Sequence, residues 1–264
     1  FSLDTIIHKN SEEVKMKNAT KTHILISTIV RNRAEKLPNY FSRILNFVEN
    51  LKDEYDFSIS IYENDSTDES KLILSDQDFS YFKEHFVKCE NIGTDYYGSI
   101  VNEQRVINYA NARNKTLENL DLSKYDWLMV IEPDVIYDFE SAKEIITRSQ
   151  APNDVDVYSG VLMMNSIPYD TWAMRRSERE EWGTFFPDYT TNPVREFWST
   201  ANGFCLYKAK PFQDGLEFGS FNKRLSKHDC DTAVLCEDLR SMGHDRIFIN
   251  QSIQMYHENS SNTI

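Results

Sequence analysis

The first half of the chain alternates between apolar stretches typical of strands and stretches whose apolar residues recur at helical spacing. Residues 23–30 and 57–62 are predicted strands, and the segment from Leu37 to about Leu51 has the periodicity of a helix. A further helix is predicted over 102–119. Strands and helices alternating in this order indicate an α/β fold with a mostly parallel central sheet flanked by helices.

The residues from Trp127 to Asp134 form the most informative pattern of this half. An uninterrupted apolar run up to Ile131 predicts a strand buried on both faces. Glu132 and Asp134 follow at once, and side chains two residues apart on an extended backbone point to the same face. Paired carboxylates at a strand end favour Mg²⁺ or Mn²⁺ bound together with phosphate oxygens. The alternative is an acidic strand end that faces water.

Polar side chains also follow the other predicted strands. Arg31 comes after the first strand, and Glu63 and Asp65 come after the second, where Ser66 or Thr67 is predicted to cap the next helix. Ligands of open α/β sheets bind beyond the carboxyl ends of the strands. These side chains are therefore expected to face one site together with the two carboxylates.

The second half is less regular. Strands are predicted over 155–163 and 203–207, with a segment rich in Tyr, Trp and Arg between them. A helix over 231–242 follows, and two short strands are predicted around Ile247 and Ile253.

No repeat, low-complexity tract or linker divides the chain. We therefore expect an N-terminal arm over 1–21 and one domain over 22–264. Within that domain, residues 22–138 are expected to form a nucleotide-binding half and residues 139–264 an acceptor and catalytic half.

Composition narrows the classes of partner. The 264 residues are 40% hydrophobic, which is sufficient for a substantial core. A formal net charge of −13 opposes binding to nucleic acid or to an anionic membrane.

No apolar run approaches the ~20 residues that span a bilayer, so no membrane segment is expected in this chain. The compartment stays open between the cytoplasm and, if an anchor precedes this sequence in a longer protein, the Golgi lumen.

The order of these motifs resembles the nucleotide-binding half of GT-A type glycosyltransferases, which have a single Rossmann-like domain. Residues 59–68 look like the second-strand segment of that fold, although a turn with a helix cap explains them equally well. Arg105 and the run Ala112-Arg-Asn114 look like the helix that lies against the nucleotide, the alternative being a solvated basic face. Nucleotide contacts are expected from Arg31, Glu63, Asp65, Arg105, Arg113, Asn114 and Glu132.

The second half resembles the fungal capsule-associated α-1,3-mannosyltransferase family. The matching segments are 169–175, 197–204, 209–212 and 230–238, and the similarity spans about 22–257. The chain departs from the family pattern at Arg176, where an acidic residue is expected, and at Glu132, which replaces an Asp. These departures concern the substrate, since Glu supplies the same oxygen ligands as Asp.

Roles follow for the predicted metal site. Asp134 is expected to coordinate Mn²⁺ or Mg²⁺ directly, and Glu132 to hold a metal-bound water or the ribose. By resemblance to GT-A enzymes, His257 closes the metal shell, the alternative being a structural histidine. The ion would neutralise charge on the leaving nucleotide.

Catalytic and sugar-binding residues are expected in the second half. Glu237 or Asp238 would be the general base of an inverting enzyme, or would orient a substrate in a retaining one. Only one of the two can face the site, because adjacent helical residues diverge by about 100°. Sugar contacts are expected from Asp170, Trp172, Trp198 and Asn202. Core packing is preferred for Trp182.

These features predict a metal-dependent glycosyltransferase that moves a sugar from a nucleotide-diphosphate sugar to a hydroxyl of a glycan or glycoprotein. The resemblance implies GDP-mannose as donor, and a UDP-sugar such as UDP-xylose is the alternative. One rival is a sugar nucleotidyltransferase, which normally has a glycine-rich loop after the first strand; residues 27–33 contain no glycine. The other rival is a non-catalytic glycan-binding protein on the same fold.

Overall fold

The computed structural model describes residues 20–98, 100–183, 192–201 and 203–258. The expected arm over 1–21 lies outside these ranges except for its last two residues, Thr20 and Lys21.

Twelve strands, six α-helices and one 3-10 turn form in the described ranges. The strands are β1 (Thr22–Val30), β2 (Tyr55–Asn64), β3 (His85–Glu90), β4 (Trp127–Ile131), β5 (Val135–Ile136), β6 (Val157–Met164), β7 (Ile167–Pro168), β8 (Val194–Glu196), β9 (Phe204–Lys208), β10 (Phe221–Asn222), β11 (Lys227–His228) and β12 (Ile247–His257). The helices are α1 (Leu37–Leu51), α2 (Ser70–Asp76), α3 (Glu103–Leu117), α4 (Phe139–Thr147), α5 (Lys210–Gln213) and α6 (Asp231–Ser241). The 3-10 turn covers Leu122–Lys124.

Ten of these strands form one sheet, whose main path is β3-β2-β1-β4-β9-β6-β12-β5. β1, β2, β3 and β4 pair in parallel. β9 runs antiparallel to both β4 and β6, so β6 has the same direction as β4. β12 is parallel to β6. Six strands of the main path therefore share one direction: β1, β2, β3, β4, β6 and β12. This arrangement confirms the predicted α/β domain with a mostly parallel sheet.

Strand register brings the polar strand ends to one edge. Val30 at the end of β1 pairs with Glu63, and Ser27 pairs with Val130 near the end of β4. Because these strands are parallel, Arg31 after β1, Glu132 after β4 and the end of β2 lie at the same edge of the sheet. The edge at which the sequence predicts a ligand site is therefore assembled by the sheet.

Helices cover both faces of the sheet. Alternate β1 side chains point to opposite faces: Ile24 belongs to a core shared with α1 and α4, and Leu25 to a core shared with α3 and α6. Phe47 and Ile145 are completely buried in the first core. A strand covered on both faces must be apolar along its length, which explains the uninterrupted run of β4.

Two local predictions were wrong, and one helix was not predicted. Ser66 does not cap α2, since its Oγ accepts a hydrogen bond from the backbone N–H of Asn32 at 2.9 Å and the helix begins only at Ser70. The two short strands predicted around Ile247 and Ile253 are one continuous strand, β12, with a register shift against β6. The sequence analysis also missed α4, which Asp138 caps by accepting from Ser141 N–H at 2.7 Å.

Among the helices that the structure describes, none has both the length and the apolar character needed to cross a bilayer.

Candidate active site

A cavity of about 560 Å³ lies beyond the carboxyl ends of β1 and β2 and along one face of α3. The segments 92–98 and 212–217 supply other parts of its wall, and Glu132 lies in its lining next to the end of β4. Four residues predicted to contact a nucleotide line this cavity: Arg31, Arg105, Asn114 and Glu132.

Asp65 shapes the wall of the cavity. It has a positive φ of 57°, and its Oδ1 accepts hydrogen bonds from the backbone N–H groups of Ile92 and Gly93, each at 2.8 Å. Its Oδ2 accepts from the N–H and hydroxyl of Thr94 at 3.0 and 2.6 Å. Although burial acts in the opposite direction, these hydrogen bonds lower the pKa of Asp65. Both carboxylate oxygens thus hold the loop over residues 92–94, and Thr94 of this loop accepts two hydrogen bonds from Arg31.

Glu63 lies beneath the cavity and is absent from its lining. Its side chain is completely buried, and its Oε1 accepts a bond from the backbone N–H of Ser66 at 2.7 Å. Lys71 Nζ lies 3.7 Å from its other oxygen. Glu63 thus stabilises the turn after β2, and its predicted contact with a nucleotide stays a prediction.

Helix α3 presents polar side chains to the cavity. Asn102 caps the helix by accepting from Arg105 N–H at 3.1 Å. The Arg105 side chain donates to Gly98 O at 2.8 Å and lies 4.6 Å from the centre of the Tyr109 ring. The Asn114 amide donates to the carbonyl of Phe218 and accepts from its N–H, at 2.9 and 2.8 Å. α3 therefore fixes two walls of the cavity.

Arg113 joins three elements at the deep end of the site. Its guanidinium donates to Glu132 Oε1 at 2.6 Å and to Asp231 Oδ2 at 2.7 Å. Burial raises the pKa of Glu132, and the nearby Arg113 opposes that rise. Asp231 is the first residue of α6 and was missed in the sequence analysis. The available signal was an acidic residue at the start of a helix whose boundary had been predicted correctly.

Asp134 lies on the other side of Glu132. Its Oδ2 is 3.5 Å from Nε2 of His257 and 3.0 Å from a guanidinium nitrogen of Arg33. Register explains the contact with His257, because Val135 of β5 pairs with His257 at the end of β12. Arg33 is a second residue that the sequence analysis missed, and it brings a positive charge to the carboxylate.

Asp134 and His257 fit a divalent cation as two of its ligands. Among the described residues, none forms a hydrogen bond with the buried Nδ1 of the imidazole, and Nε2 faces the carboxylate. Burial lowers the pKa of His257 against the opposing effect of Asp134, which favours the neutral form that binds metals. In the described ranges no three His, Cys, Asp or Glu side chains form a ready metal cluster. Further ligands would therefore be phosphate oxygens and water.

Asp170 approaches the same cluster from the segment after β7. Its backbone has a positive φ of 58°. Burial and the negative charge of Asp231 raise the pKa of Asp170 to about 6, while Arg105 and Arg113 oppose the rise. Asp170, the carboxylate predicted to contact a sugar, is therefore close enough to Arg113 and Asp231 for their charges to act on its pKa.

Two tryptophans stack beside Asp170. The rings of Trp172 and Trp182 have centroids 5.5 Å apart and are inclined by 14°. Trp182 is 47% exposed, so the core position preferred for it from sequence is wrong. Its exposed face extends the aromatic surface predicted for Trp172.

A family model described as Cryptococcal mannosyltransferase 1 matches residues 23–238. The chain belongs to this mannosyltransferase family, and so to a glycosyltransferase family. Among proteins with curated functions, none matches the chain in sequence.

Solved structures show the same fold at low sequence identity. A mannosyltransferase from Pyrobaculum calidifontis, PcManGT in complex with GDP-Man and Mn²⁺, matches with a TM-score of 0.56 and 9% identity over 97% of this chain and 65% of that chain. GalNAc-T7 with UDP, GalNAc and Mn²⁺ matches with a TM-score of 0.53 and 9% identity over 92% of this chain and 44% of that chain. This member of the mannosyltransferase family therefore has the GT-A fold and spans less than two thirds of the length of either relative.

Glu237 and Asp238 do not join the cluster in this family member. They lie six and seven residues after Asp231, about 9–10 Å farther along α6. Lys223 pairs with Asp238 at 2.9 Å, and Trp198 donates to Glu237 at 3.3 Å. Asp231, and neither Glu237 nor Asp238, stands at the start of α6, and a catalytic role for the later pair stays a prediction. Asn202 lies outside the described residues.

Proposed function

We propose that this protein transfers mannose from GDP-mannose to a hydroxyl of a glycan acceptor in a reaction that depends on Mn²⁺. One observation carries the proposal: Glu132 joins the cavity at the ends of β1 and β2 to the Asp134–His257 pair. A nucleoside in the cavity would place its diphosphate beside that pair. Family membership supports mannose as the sugar, and the GDP-Man and Mn²⁺ bound to PcManGT support the donor and the metal.

Four basic side chains of the cavity lining are balanced by four acidic ones, so in a chain with a net charge of −13 the cation would supply the net positive charge that a diphosphate needs. The arginines would supply directed hydrogen bonds. Arg31, Arg33 and Arg105 all line the cavity. Arg33 also contacts Asp134, so its guanidinium can donate to a phosphate oxygen at the metal end of the site. These arginines would bind and orient the diphosphate whichever base the donor carries.

Asp134 and His257 would hold the cation, and Glu132 would hold a metal-bound water or the ribose. The ion, when bound, supplies a positive charge that stabilises the leaving nucleoside diphosphate. Burial of Glu132 and its bond to Arg113 keep that side chain oriented toward the junction between cavity and metal pair.

Asp231 is the residue we assign to the acceptor hydroxyl. Arg113 fixes its Oδ2 at 2.7 Å, and the described residues give its Oδ1 one weak contact, from the Cys230 thiol at 3.9 Å. A carboxylate that is fixed through one oxygen and has only a weak contact on the other retains the capacity to accept a hydrogen bond from a sugar hydroxyl. In an inverting reaction it would take the hydroxyl proton; in a retaining reaction it would orient the acceptor.

The decisive assay incubates the protein with GDP-mannose, UDP-xylose or UDP-galactose and with a mannose oligosaccharide, and detects products by mass spectrometry. We expect transfer from GDP-mannose with Mn²⁺, and its loss with EDTA. Asp134→Ala is expected to lower the rate by about 10³ or more, because a principal ligand of the ion is removed. Glu140→Ala removes an exposed carboxylate of α4 and serves as the matched control.

The assay distinguishes the alternatives. Transfer from a UDP-sugar alone would replace the donor, and full activity with EDTA or in Asp134→Ala would overturn the metal assignment. Absence of transfer from every donor, with binding of the oligosaccharide retained, would identify a glycan-binding protein.

A further inference from the structure

A second groove, of about 400 Å³, lies along the later turns of α6 and shares no lining residue with the nucleotide cavity. Its walls are the last turns of α6, the β10 strand with the turn that follows, and Trp198. The lining residues used below are Trp198, Phe221, Asn222, Arg224 and Glu237.

The charges that line this groove cancel. Three acidic side chains are present, Glu178, Glu237 and Asp238, and three basic ones, Lys223, Arg224 and Arg240, so the formal sum is zero. Lys223 and Arg224 are paired with Asp238 and Glu237, at 2.9 and 2.7 Å. A groove of this kind has no excess charge with which to bind a phosphate or a carboxylate ligand, and it favours a neutral one.

The polar groups of the groove converge on one oxygen. Glu237 Oε1 accepts hydrogen bonds from Trp198, Asn222 and Arg224, at 3.3, 3.1 and 2.7 Å. None of the described residues donates to the second oxygen of Glu237, Oε2. A side chain fixed through one oxygen keeps the other as an oriented acceptor for a hydroxyl group.

Aromatic surface lies beside these polar groups. Phe221 is 49% exposed. The Arg240 guanidinium lies 4.4 Å from the centre of the Trp198 ring, and it donates to the carbonyls of Phe197 and Trp198 at 2.7 and 3.2 Å. The groove thus combines a rigid wall with an exposed aromatic ring, and sugars present both hydroxyls and apolar C–H faces to such a surface.

Helix α6 connects this groove to the proposed acceptor carboxylate. Asp231 begins the helix, and Glu237 follows about 9 Å along its axis. The groove and the proposed acceptor carboxylate therefore lie along one helix, and neither position requires the glycan to enter the nucleotide cavity.

We propose that this groove binds a neutral sugar residue of the acceptor glycan, at a distance from the hydroxyl that reacts. The inference rests on the proposed function for the identity of the glycan as an acceptor. It assigns Glu237, expected from sequence to be catalytic, to acceptor binding instead.

Calorimetric titration with α-linked mannotriose, without nucleotide or metal, tests the proposal apart from turnover. We expect Phe221→Ala and Glu237→Gln each to weaken binding at least fivefold. Glu237→Gln has nearly the same shape and replaces a carboxylate oxygen by an amide, and Phe221 is exposed, so both are expected to keep the fold, which thermal melting checks. Tyr81→Ala, with a side chain 48% exposed elsewhere, is the matched control and should leave binding unchanged.

A trisaccharide of uronic acids is expected to bind more weakly than mannotriose, because the groove has no excess positive charge. Absence of mannotriose binding, binding unchanged in both groove variants, or stronger binding of the charged trisaccharide would overturn the proposal. Mannotriose binding through the groove in a protein that shows no transfer would instead remove the proposed function and keep the sugar site.

Discussion

Nε2 of His257 lies 3.5 Å from Oδ2 of Asp134, although the two residues are far apart in the sequence. The contact arises because Asp134 immediately precedes β5, and β5 pairs antiparallel with the last residues of β12. The two proposed metal ligands therefore belong to the same short segments that close this edge of the sheet.

Replacement of His257 by Ala should weaken Mn²⁺ binding. The change removes the nitrogen ligand and leaves Asp134 paired with Arg33, so we expect the affinity to fall about tenfold or more. Electron paramagnetic resonance of free Mn²⁺, recorded in the presence of GDP, measures this directly. His85→Ala, at an exposed position of β3, is the control. An unchanged affinity in His257→Ala would mean that the imidazole is not a ligand.

Arg113→Met should destabilise the fold strongly. It leaves the carboxylates of Glu132 and Asp231 without the cation that binds both, and breaking a buried ion pair typically costs about 3–5 kcal/mol. Arg105→Met, on the same helix, loses a bond to a backbone carbonyl and is expected to cost about 1 kcal/mol. The free energy of unfolding in urea compares the two. Equal losses would contradict the role given to Arg113.

Asp231→Asn should reduce the rate of transfer while GDP affinity stays within about twofold. A loss of about 10²–10⁴ is expected if the carboxylate acts as a base, and a smaller one if it only orients the acceptor. Asp53→Asn, at an exposed position after α1 and away from both the cavity and the groove, is the matched control. Normal transfer by Asp231→Asn together with an inactive Asp238→Asn would restore the assignment made from sequence.

Asp170→Asn should stabilise the protein at pH 7.5. The pKa of Asp170 is raised from 3.8 to about 6, so between these values the folded protein retains a proton that the unfolded chain has lost. Stability consequently falls as pH rises through this window, and the full cost, at most about 3 kcal/mol, is present above pH 6. Asn tolerates the positive φ equally well.

Melting temperatures of wild type and Asp170→Asn at pH 7.5 and 3.5 check this expectation. The difference between the two proteins should be largest at pH 7.5 and should nearly vanish at pH 3.5, where Asp170 is protonated in both the folded and unfolded states. A melting-temperature difference that does not change with pH would show that ionisation of Asp170 does not destabilise the folded protein.

Features contained within one segment were predictable from sequence. The run that ends in Glu132 and Asp134 specified a buried strand and its polar end, because burial on both faces requires uninterrupted apolar side chains. The helix predicted over 102–119 was likewise found, as α3, because its apolar residues recur at helical spacing within one segment.

Features that depend on distant partners were not predictable from sequence. Arg33 gained its role from a contact with Asp134 across the sheet edge, and Asp231 from its bond to Arg113. Glu237 was placed at the reaction centre because its sequence motif carries no information on which turn of the helix meets the site. Trp182 was expected to pack in the core, yet it stacks on Trp172 and is about half exposed.

The measurement that tests the central claim most directly is calorimetric titration of the wild type and Asp134→Ala with GDP and with UDP, each with Mn²⁺ and with EDTA. We expect GDP to bind the wild type tightly only with Mn²⁺, UDP to bind more weakly, and the metal dependence to disappear in Asp134→Ala. Binding of neither nucleotide, or GDP binding of equal strength with EDTA and with Mn²⁺, would contradict the account.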